Sequence, residues 1–409
     1  YNSLMKLGYS PFQHRYIHLI ENPIEAISTS LLKLNHSFDQ VKLDKISNYL
    51  ISVHPSISLS HKNYEAGKVN NNGSKTIVTS ALSVDMLDEA INVAKNMFKL
   101  EVHTLGIFSF NSHSSHILLL VYTQIIFDHI TVMELYNTLN SYLQNFNTAA
   151  RNKWQYLWEW QKQLEKVSRF ELPKSSQKLY SPANPVKKEL IHTRNIEKGQ
   201  IEEVSGILNG SLKETLLSIV FYAASKCLAY REVEMTIQEE RQADSQQTIA
   251  AQLTFQPSFS SRVSSKVSIL DAIIDIRNAY RQSLEMNHTS QSGSYVQRVI
   301  SMAFTYMTEH TEDYNIFELL SEYNRLPVII NEYTILADVY VPSGNGKIIL
   351  SLQNVTRQSS RFAHELLGEV VFTLGTLYEE CKNLTAPIVS SSDFDYKELS
   401  EEDIDSLFD

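Results

Sequence analysis

Thr123-Gln124-Ile125-Ile126-Phe127-Asp128-His129 joins two segments of different periodicity. It is entered from His116-Ile-Leu-Leu-Leu-Val-Tyr122, an apolar run of the length and content of a buried strand. It leaves into Ile130-Thr-Val-Met-Glu-Leu-Tyr-Asn-Thr-Leu139, which reads as a helix. The stretch is therefore a strand-to-helix loop. Asp128 stands where an N-cap or first-turn acid satisfies free helix N–H groups. Gln124 can donate and accept hydrogen bonds but takes no proton near neutral pH.

Working outward, Thr104–Phe110 is a second strand-like run, joined to the first by Asn111-Ser-His-Ser-Ser115 in a predicted hairpin. His113 and His116, on or beside this hairpin, read as surface or packing residues. Ser10-Pro-Phe-Gln13 opens a helix, because Pro at the first helical position loses no needed hydrogen bond. Phe38, Val41, Leu43, Ile46, Leu50 and Val53 recur at helical spacing until His54-Pro55 ends the run. A third helix is predicted from Asp85 to Phe98, and Lys68–Lys75 is a polar, turn-rich loop.

Residues 151–169 carry all three tryptophans, Trp154, Trp158 and Trp160. Trp154 and Trp158 share a helical face at i,i+4, and core or inter-lobe packing is the expected use of such a stripe. Leu172 through Pro185 is polar and Pro-rich and is the expected linker. The division is thus residues 1–172 as one lobe, 173–390 as a second, and 391–409 as an acidic linker or docking tail. Beyond the linker the spacing predicts helices at Ser211–Tyr230, Ile269–Glu285 and Arg361–Cys381. A hairpin of Ile335–Val341 and Ile348–Leu352 turns at Ser343-Gly-Asn-Gly346. Strands alternating with long helices predict a layered α/β architecture.

Composition narrows the function classes. With 43% hydrophobic and 20% charged residues, the 409-residue chain has an ordinary globular composition. A net charge of −10 argues against nucleic acid as the main partner, since phosphate binding needs clustered Lys and Arg. Cys227 and Cys381 lack metal-ligand spacing and read as buried thiols of a reducing cytosol, so a cytoplasmic location is expected and no metal site is. No apolar run has transmembrane length and no secretory signal is visible, so no membrane association is expected.

The strand–loop–helix around Thr123–His129 resembles the His-His-x-x-x-Asp-Gly motif of the condensation domains of nonribosomal peptide synthetases. Thr123 and Gln124 stand where that motif has its two His, His129 stands where it has Gly, and Asp128 matches. Four further places carry the likeness in the family's order. They are Ser10-Pro-Phe-Gln13; Leu43 through Ile57, with Ser58 where the family has Arg; Arg241 through Arg262, similar to its crossing segment; and Ile348–Asn354 with the helix that follows.

The resemblance implies two chloramphenicol-acetyltransferase-like lobes arranged in a V with a central tunnel. It implies substrates arriving on phosphopantetheine arms of carrier proteins, with no bound cofactor. The second motif His serves amide formation there, so its replacement by Gln124 removes any general base, worth roughly 10²–10⁴-fold. Juxtaposing two tethered substrates could still sustain some reaction. Asp128 is implied to be half of a structural ion pair, with Arg262 as the candidate partner; an N-cap role alone is the alternative. His129 is read as a group that blocks the substrate path or faces solvent, in preference to a relocated base.

Two functions remain in view. One is a docking platform in a nonribosomal peptide or hybrid polyketide assembly line, receiving carrier proteins, neighbouring synthetase subunits or a tailoring enzyme in trans. The other is an amide- or ester-forming enzyme with an altered site, with epimerization or heterocyclization behind it. Residues 393–409 hold eight acids and one Lys. There Ile404, Leu407 and Phe408 make an i,i+3,i+4 apolar patch suited to docking.

Overall fold

The computed structural model describes residues 8–59, 75–113, 115–145, 149–170, 177–180, 191–241, 248–285, 300–309, 313–320, 326–331, 334–344, 346–354 and 360–393. The chain forms two compact units. The first comprises Tyr1–Asn184, Glu239–Phe255 and Glu312–Ile329, and the second comprises Pro185–Gln238, Gln256–Thr311 and Ile330–Asp409.

The first unit is built on strands β1 (Ile27–Leu34), β2 (Ile77–Ala81), β3 (Leu105–Ser112), β4 (Ser115–Thr123) and β10 (Phe317–Leu319). Their order is β10-β1-β4-β3-β2. The β3–β4 hairpin is present as the sequence predicts, with Leu105 opposite Tyr122 and Phe110 opposite Ile117. Strand β1 lies antiparallel on the other side of β4, bringing Ile27 opposite Thr123.

Alternation along these strands serves two faces. Leu105, Ile107, Leu118, Leu120 and Tyr122 join one core. Phe108, Phe110, Leu119 and Val121 join another, closed by Ala90, Ala94 and Phe98 in and after helix α3 (Leu87–Met97). Helices α1 (Pro11–Leu19), α2 (Gln40–Val53), α4 (His129–Leu143) and α5 (Lys153–Val167) contribute to the first face. Each large apolar side chain buried there stabilises the fold by about 1.5–3 kcal/mol. This covering from both sides explains the unbroken apolar reading of β4.

Helix starts follow local chemistry. Ser10 and Gln13 form a reciprocal capping box on α1, Asp39 caps α2, and Asn152 caps α5. The expectation for Trp154 and Trp158 fails: both are exposed, and only Trp160 of the three is buried. The face of α5 that packs inward is Tyr156, Leu157, Trp160 and Leu164. Residues 154 and 158 are in register with each other but not with that face. Of the expected linker, 177–180 is a strand, β5 (Gln177–Tyr180), paired with β11 (Val328–Asn331). The rest of that linker and residues 68–74 of the polar loop lie outside the described residues.

The second unit contains β6 (Ile191–Glu197), β7 (Val233–Ile237), β8 (Ser258–Ser261), β9 (Ile300–Thr308), β12 (Thr334–Val341) and β13 (Lys347–Asn354), in the order β6-β13-β12-β9-β7-β8. The β12–β13 hairpin turns through Gly344 and Gly346, both at positive φ, which a side chain would resist. Helices α6 (Lys198–Ile207), α7 (Leu212–Cys227), α8 (Ile269–Glu285) and α9 (Ser360–Lys382) pack with this sheet. Helix α7 starts from a Ser211–Glu214 capping box and is buried continuously from Thr215 to Ser225, which makes it a central helix covered all round rather than the amphipathic helix predicted for Ser211–Tyr230. Cys381 is buried and Cys227 half-buried, both free thiols.

Residues 390–393 of this unit are tied down by charge. Arg281 Nη1 donates to Asp393 Oδ1 at 2.6 Å, and its Nε and Nη2 clasp both carboxylate oxygens of Glu214 at 2.8 and 3.1 Å. The neighbouring Arg277 donates to Ser390 Oγ and to the Leu208 carbonyl. Burial alone would raise the Asp393 carboxyl pKa. The Ser390 N–H and the Arg281 guanidinium outweigh it and hold the group below its ordinary value.

Candidate functional site

The loop after β4 is shaped by its own backbone and by two separate pieces of the first unit. The amides of Ile126 and Phe127 turn back to the Thr123 carbonyl, and the Thr123 hydroxyl accepts from Ile125 N at 3.2 Å. Thr123 is fully buried in this closed turn. Gln13, already part of the α1 capping box, extends Nε2 to the Ile125 carbonyl at 2.7 Å. Gln252 donates to the Gln124 carbonyl at 2.6 Å. Thus the Ser-Pro-x-Gln opening and the crossing segment both end on the loop, on main-chain atoms that a free loop would expose to water.

Gln124, at the position of the second motif His, is 4% exposed. Its side-chain Oε1 accepts from the Tyr16 hydroxyl at 3.3 Å. Tyr16 is itself buried, and desolvation together with the charge of Glu25 pushes its pKa above the ordinary tyrosine value. The pair is therefore a neutral donor and acceptor at physiological pH, with no proton to exchange.

Asp128 combines the two roles considered for it. As N-cap of α4 it accepts from Thr131 N at 2.8 Å, and from Arg241 Nη2 at 3.1 Å on the same oxygen. Its other oxygen accepts from Leu253 N at 3.2 Å. The Thr131 hydroxyl completes the cluster, 2.8 Å from Asp128 Oδ1 and 2.9 Å from the Ala251 carbonyl. Asp128 is fully buried, so these donors replace the water that an ionised carboxylate requires.

The expected partner, Arg262, is corrected to Arg241. Residues 239–255 of the crossing segment belong to the first unit, where Glu239 and Phe255 bridge and bring 241 and 251–253 to Asp128. Arg262 follows β8 in the second unit and is exposed. Nothing in the sequence spacing distinguishes the two arginines.

His129 begins α4, half-buried, with Nδ1 3.4 Å from Glu240 Oε2. His116 pairs with Asn111 across the hairpin at 2.6 Å, and His113 occupies its turn at positive φ. His54, which closes α2, is fully buried, with Nε2 3.0 Å from Thr138 Oγ1. Burial, and then the charges of Arg151 and Arg241, lower its pKa to about 3. Its 3.9 Å approach to Glu134 is thus no ion pair; Arg151, 3.8 Å from the same oxygen, carries the opposing charge. Ser56 and Tyr156 fasten the segment after His54 to residue 250: Ser56 Oγ donates to the Ala250 carbonyl and Ala250 N donates to Tyr156 Oη.

Sequence reading missed Tyr16, Thr131, Arg241 and Gln252 as members of this cluster. Ile404, Leu407 and Phe408 lie outside the described residues. Among the described residues, no group of three or more His, Cys, Asp or Glu is placed to hold a metal ion, and no helix is long and apolar enough to cross a membrane.

No protein-family model matches the sequence, and no curated protein matches it. Solved structures do. The epimerization domain from the third module of tyrocidine synthetase B is similar with a TM-score of 0.59 at 12% identity, over 92% of this chain and 97% of that one. VibH, a nonribosomal peptide synthetase condensation enzyme, gives a TM-score of 0.56 at 14% identity, over 92% and 98% of the two chains. The X-domain in complex with OxyB from teicoplanin biosynthesis gives 0.56 at 12% identity, over 94% and 97%. This chain has the condensation-domain fold.

Proposed function

We propose that this chain is a condensation-type domain of a nonribosomal peptide or hybrid polyketide assembly line that has lost its catalytic base and acts as a docking platform. Its partners in this reading are carrier proteins with their phosphopantetheine arms, neighbouring synthetase subunits, or a tailoring enzyme in trans, in the cytoplasm. The observation that carries the proposal is Gln124, a buried amide held by a protonated Tyr16 where the motif has an imidazole. Amide formation sheds a proton from the attacking nitrogen, and neither of these groups takes one near neutral pH. Asp128, the one motif residue retained, is engaged on both oxygens in holding the loop. A retained scaffold with an absent base suits binding better than turnover. The similarity to an X-domain in complex with OxyB supports the same reading.

The second reading is amide or ester formation by juxtaposition alone, since well-placed tethered reactants reach effective molarities of about 10⁵ M or more. The deciding experiment incubates the protein with loaded donor and acceptor carrier proteins and follows products by mass spectrometry. We expect no condensation product above background, with measurable binding of at least one partner class by calorimetry. Rapid turnover that disappears in a folded Asp128→Ala variant would overturn the platform reading.

A further inference from the structure

Trp154 and Trp158 stand one turn apart on α5, 63% and 49% exposed. Lys162 lies over the Trp158 ring, 3.2 Å from its centre. The same helix then exposes Lys166, and Arg169 follows beyond its end. Glu159, 3.6 Å from Lys162, and Glu165 offset two of these three cations, leaving one net positive charge on this face of a chain whose net charge is −10. A depression of about 310 Å³ continues this face between Gln161, Leu164, Glu165, Ser168 and Arg169 and the segment Gly8–Tyr9. Large aromatic side chains dominate interface energetics when covered, and tryptophan is enriched among the residues that carry binding energy. Two of them left in water, in register and flanked by cations, need a partner with apolar anchors and carboxylates.

The chain itself carries such a segment. After Asp393, which Arg281 pins to the second unit, the sequence runs on through Glu401, Glu402, Asp403 and Asp405, with Ile404, Leu407 and Phe408 at i,i+3,i+4. At helical periodicity that spacing would bring the three apolar residues to one side, matching the one-turn spacing of the two indoles. We propose that the Trp154–Trp158 face of one copy receives residues 400–409 of a second copy. The contact joins two different surfaces, so it is a head-to-tail association rather than a symmetric one. The inference is independent of the condensation-type reading above.

The test uses the full chain. Sedimentation velocity from low to high micromolar concentration should show self-association in the micromolar range, as expected for a short segment held by a few apolar anchors. Raising the salt should weaken it, because exposed charges are screened over roughly 8 Å at physiological ionic strength. Two variants, Trp154→Ala/Trp158→Ala and Leu407→Glu/Phe408→Glu, should each be monomeric throughout. An equimolar mixture of the two should associate, since the first supplies an intact tail and the second an intact face. Lys162→Glu/Lys166→Glu, which leaves the indoles in place, should weaken association at least tenfold. Far-ultraviolet circular dichroism of each variant checks that it is folded. A wild-type protein that stays monomeric, an association that survives either double substitution, or a mixture that fails to associate would each overturn the proposal.

Discussion

Arg241 Nη2 lies 3.1 Å from Asp128 Oδ1, and the carboxylate it meets is fully buried. Breaking such a pair by removing one partner typically costs about 3–5 kcal/mol, because the other charge is left without compensation. Asp128→Ala should therefore lower the unfolding free energy by about that amount in urea titrations. Asp128→Asn, which keeps an acceptor for Thr131 N, should cost less. A double-mutant cycle with Arg241→Met should give a coupling of about 0.5–3 kcal/mol. Additive single costs would show that the two groups act separately.

Restoring the motif imidazole should not restore an enzyme. Gln124→His should give no more than trace condensation with loaded carriers, since Thr123 is closed into its own turn and Tyr16 already addresses position 124. Tyr16→Phe should cost about 1 kcal/mol of stability, the usual worth of one net hydrogen bond. Product formation by Gln124→His at a rate typical of condensation enzymes, read by mass spectrometry, would contradict this.

His54 makes stability depend on pH in a stated direction. Its pKa in the fold is about 3, lowered chiefly by burial, against an ordinary value of 6.5. The neutral ring therefore contributes fully above about pH 6.5. Below that the unfolded chain gains a proton that the fold refuses, and stability falls by about 1.4 kcal/mol per pH unit until pH approaches 3. Between pH 7 and pH 5 the wild type should lose about 2 kcal/mol more than His54→Gln, which keeps a donor for Thr138 but cannot titrate. Parallel pH profiles for the two proteins would rule out a neutral buried imidazole.

The Arg281–Asp393 contact should govern how firmly residues 388–393 are held to the second unit. Ile388 N donates to the Ile207 carbonyl and Asp393 N to the Ser390 carbonyl. Asp393→Ala should raise hydrogen exchange at these amides at least tenfold and leave those of β12 and β13 unchanged. Unaltered protection at Ile388 would show that apolar contacts, rather than the arginine clasp, hold the segment.

Local chemistry alone determined a good part of this molecule. Ser10 with Gln13 and Ser211 with Glu214 specify helix starts within four residues. The Gly344 and Gly346 turn specifies a hairpin, and the unbroken apolar run of β4 specifies a strand covered on both sides. Each rests on interactions between near neighbours or on a simple period, which a linear reading captures. Asp128 as an N-cap belongs here too, as does the absence of a titratable group at Gln124. Tertiary structure decided the rest. Whether Arg241 or Arg262 meets Asp128 depends on which piece of the crossing segment packs in the first unit, and the two residues are alike in sequence. That Gln13 reaches Ile125, that Tyr16 reaches Gln124, and that His54 is stripped of water are consequences of packing between segments far apart in the chain. Trp154 and Trp158 carry the same lesson. Periodicity shows that two residues share a helical face, but only the neighbouring elements determine which face of that helix is covered.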